Sequence, residues 1–69
     1  MIMAQSAIEQ LRTYARTWHG AHIVDAGFGK WTCNNHKSTL AQIAQHAINY
    51  GLAVQYDNFT NTLTIIYRL

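Results

Sequence analysis

The chain has 69 residues, 49% of them hydrophobic, with five Lys or Arg, three Asp or Glu and a net charge of +2. That length allows one domain with a modest core, and that apolar content excludes a disordered chain. With Cys33 as the one cysteine an internal disulfide is excluded, and the lone thiol points to a reducing, cytoplasmic setting. The Met-Ile-Met-Ala-Gln-Ser start lacks the basic residue and apolar run of a signal peptide. No apolar stretch reaches the ~18 residues of a membrane span, so no membrane role is expected.

The first element in chain order is a helix over about residues 7–18. Ser6 and Glu9 fit a capping box, Ile8, Leu11, Ala15 and Trp18 recur at spacings of three and four, and Gly20 suits the position after the helix end. Arg12 and Arg16 lie one turn apart on its polar side. Two β-prone runs follow, His22–Ala26 and Lys30–Cys33, around a turn at Gly27-Phe28-Gly29, and together they predict a hairpin.

A second helix is predicted over 39–50, with Thr39 and Gln42 as a capping box or Ser38 as the cap. Leu40, Ile43, Ala44, Ala47 and Ile48 form its apolar stripe, and Gly51 is a left-handed cap with Leu52 folding back. A second hairpin closes the chain. In it Val54 and Tyr56 alternate with polar residues before the 57–61 loop, and Leu63, Ile65 and Tyr67 alternate after it. The expected fold is one small α+β domain of order α-β-β-α-β-β, an antiparallel sheet with two helices packed on one face. Whether the two hairpins join into one sheet is left open.

Catalytic chemistry is poorly provided for. Glu9, Asp25 and Asp57 are the only carboxylates and are scattered, which removes paired-carboxylate and hard-cation sites. A Cys33–His36 nucleophile and base would lack orienting and oxyanion groups. The Gly27-Phe28-Gly29-Lys30 spacing fits no phosphate loop and is better explained as a turn. The expected protein is therefore not an enzyme and uses no cofactor. One metal alternative stands on spacing: His19-x2-His22 and Cys33-x2-His36 offer four ligands of types zinc prefers, brought together if the hairpin sets His22 opposite Cys33. The plainer alternative has Cys33 packed as a small apolar residue and the histidines partly exposed.

Charge distribution points to binding. From Ser38 to Tyr67 only Asp57 is formally charged, and interface cores are depleted in charge in the same way. Candidate contact residues are Gln42, Gln45, His46, Asn49 and Tyr50 on the second helix, with Phe28 and Trp31 on the first hairpin. Arg12 and Arg16 would add a small basic patch. The last strand would pair across a dimer if it lay at a sheet edge, so self-association is included. A protein this small without a catalytic set fits a regulator or inhibitor of a larger complex, such as mobile genetic elements encode against host defence. The alternative is a DNA-binding regulator, with helix 39–50 reading base edges through Gln and Asn and residues 53–69 as a wing, a likeness to winged-helix domains in element order alone.

Overall fold

The computed structural model describes residues 3–66, with side chains from Ala7 onward. The elements are α1 (Met3–His19), β1 (Val24–Gly27), β2 (Lys30–Asn34), α2 (Lys37–Asn49), β3 (Ala53–Asp57) and β4 (Thr62–Ile66). The order α-β-β-α-β-β and the α+β class are as the sequence predicts. Tyr67 and Arg68, expected to continue the last strand, lie outside the described residues.

The hairpins join into one antiparallel sheet of order β1-β2-β4-β3. Strand β4 is thus internal, zipped to β2 from Lys30↔Ile66 to Asn34↔Thr62 and to β3 from Ala53↔Ile66 to Asp57↔Thr62. Of the two places open to the last strand, internal or at an edge that recruits a second copy, the structure has the internal one, and β3 lies at the edge. Helix α2 carries the chain from β2 to the parallel strand β3, with β4 inserted between them, and it packs against both β3 and β4.

Period-2 alternation places Cys33, Leu63 and Ile65 on the helix side of the sheet. They meet Ile8, Leu11 and Ala15 of α1 and Leu40, Ile43 and Ala47 of α2 in one core, closed by Ala21, Ile23 and Leu52. No buried polar side chain occurs among the described residues. Apolar burial at about 25 cal/mol per Å2 is therefore the main stabilising term.

The helix ends depart from expectation. Helix α1 begins at Met3, so Ser6 lies inside it and does not cap it. Helix α2 begins at Lys37, which places Ser38 and Thr39 inside its first turn; its N-cap is His36, which makes no side-chain cap hydrogen bond. The Asn35 carboxamide takes the turn's work instead, its Oδ1 accepting from the His36 N–H at 2.8 Å. The C-terminal end follows the sequence: Gly51 adopts φ 84°, and the Leu52 N–H bonds the Ala47 carbonyl at 2.9 Å.

Two expected core residues are on the surface. Trp18 is 74% exposed because the chain reverses at Gly20 and the Ala21 N–H reaches the Ala15 carbonyl at 3.0 Å, so that Ala21 fills the space under the last turn of α1. Ile48 is 54% exposed. The buried stripe of α2 is Leu40, Ile43 and Ala47, and Ile48 sits about 100° further round the helix, with Ala41 and Ala44.

Candidate interaction surface

The predicted contact residues of α2 form one outward strip. Gln45 donates from Nε2 to Asn49 Oδ1 at 3.3 Å. The His46 Nδ1–H donates to the Gln42 carbonyl at 3.2 Å, which assigns the proton to Nδ1 because the carbonyl can only accept. Tyr14 of α1 stacks on His46 with centroids 3.7 Å apart, and Tyr50 meets His46 edge-on at 6.4 Å. His19 continues the cluster, its Nε2 3.1 Å from the Tyr14 hydroxyl. Tyr14 and His19 join this surface through a helix–helix contact between residues about 30 positions apart, which no local pattern encodes.

The first hairpin meets α1 through Arg12 and Trp31. The Arg12 guanidinium lies 5.1 Å from the Trp31 ring centroid, a cation–π contact, and pairs with Glu9 at 3.4 Å. Arg16 is exposed one turn further along.

Phe28 stands apart at the hairpin tip. The turn residues are Phe28 and Gly29, both left-handed at φ 56° and 74°, which is the pattern of a type I′ hairpin. The turn falls within the expected Gly27-Phe28-Gly29 segment, but a pairing of His22 with Cys33 would centre it on Gly27 and Phe28, one residue earlier. The shift comes from a bulge at Ala26, where the register changes between Asp25 and Gly27 while Asp25 Oδ1 accepts the Gly27 N–H at 2.8 Å. The Phe28 ring is fully exposed, at 103% of its reference area. Phe59, which the sequence reading passed over as loop, is 99% exposed at the opposite end of the sheet. Both sit where turn chemistry leaves a side chain no neighbour to pack on.

The four zinc-type residues are not gathered. Val24 pairs with Thr32, so one step on Ile23, and not His22, falls level with Cys33. Cys33 is buried in the core, while His22 and His36 are exposed and His19 bonds Tyr14. Among the described residues no group of three or more His, Cys, Asp or Glu side chains is placed to hold a metal ion. Burial also pushes the Cys33 thiol pKa up, the reverse of what a nucleophile needs.

One concavity borders this surface. An apolar groove of about 240 Å3 runs between α2 and the β3–β4 pair, lined by Lys37, Leu40, Ala41, Ala44, Tyr56 and Leu63. No helix among the described residues is long and apolar enough to cross a membrane. Compared with models of known protein families, with curated proteins and with solved structures, the chain matches none.

Proposed function

We infer that this protein is a non-enzymatic interaction module that binds another protein, with Phe28 as its anchor. The observation that carries the reading is the conformation of Phe28. A bulky residue held at positive φ costs about 1–2 kcal/mol, and this one recovers nothing by packing, because its ring is wholly exposed. Strain kept without a structural return is a mark of functional sites, and exposed aromatics are the usual anchors of protein interfaces.

The α2 strip of Gln42, Gln45, His46, Asn49 and Tyr50 supports the same reading. It carries no formal charge at neutral pH, so covering it costs less desolvation than covering a Lys/Glu face. Such a binder, small and without a catalytic set, suits a regulator or inhibitor of a larger assembly. A recognition-helix role on DNA has weaker support, since Lys37 is the one Lys or Arg in α2 and phosphate contacts dominate DNA affinity.

The test is affinity capture from lysate of the cells that make the protein, comparing wild type with Phe28→Asn. That change relieves the backbone strain and removes the ring. Proteins retained by wild type and lost by the folded variant support the reading. Identical retention by both, or none by either, overturns it.

A further inference from the structure

The two edges of the sheet are built differently. Strand β1 is guarded: it is four residues long, bulged at Ala26 and contains Asp25 and Gly27, all devices that prevent edge-to-edge pairing. Strand β3, Ala53-Val54-Gln55-Tyr56-Asp57, has neither a bulge nor a glycine, and its one charge, Asp57, stands at its last position. It is regular against β4 with no register shift, and it holds no Lys, Pro or Gly.

We propose that β3 pairs with β3 of a second copy of this chain, about a two-fold axis at Gln55, joining two four-stranded sheets into one of eight strands. Three features make the surface complementary to itself. The first is strand chemistry. Pairing about Gln55 sets Val54 opposite Tyr56 of the other copy, a β-branched residue against an aromatic, and sets Asp57 opposite Ala53, so no like charges meet.

The second is layer geometry. Helix α2 packs on both β3 and β4; an axis midway between the two strands would lie half a strand spacing inside β3. With strands about 4.8 Å apart, the axes of two α2 helices so placed come to about 10 Å. That is the normal packing distance of two helices, so the helical layer closes in the same step as the sheet. The residues on that flank of α2 are Ala41, Ala44 and Ile48, small enough for the approach, and Ile48 is exposed in the single chain. An antiparallel pair of helices centred near Ala44 brings Ile48 of each copy beside Ala41 of the other. There it enters the apolar groove lined by Ala41, Ala44 and Tyr56.

The third is charge. Lys37 stands at the first position of α2, the positive end of its own helix, whose first turn holds no acidic residue. In the antiparallel pair Lys37 of each copy lies beside the C-terminal end of the other α2, where carbonyl groups favour a cation. The surface is distinct from Phe28 and from the outward strip of α2, so the pairing stands or falls independently of partner capture.

The experiment measures the mass of the full chain in solution by sedimentation between about 1 μM and about 1 mM, the range that a small interface implies. Twice the 7.9 kDa chain mass is expected at the upper end. Gln55→Lys sets two ammonium groups face to face, and Ile48→Glu puts a carboxylate into the groove; each is expected to raise the dimer Kd tenfold or more. Asn58→Lys, the same charge change in the β3–β4 loop, is expected to leave the dimer intact. Gln55→Cys supplies the positive reading. Residues opposite one another in an antiparallel pair are about 4.5–5.5 Å apart at Cα, within disulfide reach, so it is expected to cross-link to itself on oxidation while Asn58→Cys does not. A chain that stays monomeric at every concentration overturns the proposal. So does a dimer that neither charged variant weakens and Gln55→Cys does not lock.

Discussion

Tyr14 and His46 stack with ring centroids 3.7 Å apart and planes 17° from parallel, and so tie the middle of α1 to the last turn of α2. The stack bridges the two helices, with Tyr14 packed against a core of Ile, Leu and Ala residues and Cys33. It also holds His46 at the centre of the proposed contact strip, so the strip's geometry depends on the helix pairing.

Removing either ring is therefore expected to destabilise the fold by about 0.5–1.5 kcal/mol beyond lost area. Tyr14→Leu, His46→Leu and the double variant form a cycle read by thermal unfolding. Each kcal/mol corresponds to about 4–8 °C in a domain of this size. Additive losses in the double variant would mean that the stack contributes nothing of its own.

At the hairpin tip the expected change has the opposite sign. Phe28→Asn creates the Asn-Gly pair that type I′ turns prefer, and no packing is lost because the ring has none. Stability should rise by about 1 kcal/mol, measured as a higher Tm. A lower Tm would show that the exposed ring does stabilising work, and the strain argument for binding would fail with it.

Cys33 yields a pH prediction. Burial holds its thiol pKa above the ordinary 9.0, so above pH 9 the folded chain keeps a proton that the unfolded chain has released. This contribution is fully present below pH 9 and is lost as pH rises through the folded-state value. Subtracting a Cys33→Ala titration isolates it from tyrosine and lysine ionisation, and a flat difference curve would refute it. Cys33→Ser is expected to cost more than Cys33→Ala, by about 1–3 kcal/mol, because it buries a hydroxyl among Leu63, Ile65 and their neighbours.

Gly51→Ala tests the helix end. A Cβ there would meet nothing within 4 Å, so the cost is the left-handed backbone alone, about 1–2 kcal/mol. Urea unfolding with an unchanged m value and a lower midpoint is the expected result.

The elements themselves were legible in the residues because each signal was local. Gly51 with Leu52, and the alternation of Leu63 and Ile65, needed no knowledge of distant neighbours. Caps were misread because Ser and Thr near a helix start suit the cap but tolerate the first turn, and α2 begins at Lys37 with no side-chain cap. Trp18 and Ile48 were misassigned for another reason. Periodicity gives the face of a helix but not how far the sheet beneath it extends. That Gln42, Gln45, His46, Asn49 and Tyr50 share one face was legible from helical periodicity, whereas the approach of Tyr14 and His19, the groove beside Tyr56 and the internal place of β4 all depend on how the hairpins join. That choice is made by long-range pairing, Trp31↔Ile65 and Cys33↔Leu63, between residues 34 and 30 positions apart.

The bulge at Ala26 matters beyond its own hairpin. A chain with two receptive sheet edges could add copies without limit and grow as a filament. Here only β3 is receptive, so an isologous pairing uses up the single adhesive edge of each chain and leaves two guarded strands facing outward. Assembly through this sheet terminates at two, and the device that terminates it lies at the far side of the molecule from the surface that joins. Removing the bulged residue alone would leave Asp25, Gly27 and the short length of β1 in place, so the self-limiting pair would become a polymerising one only when these guards are lost together.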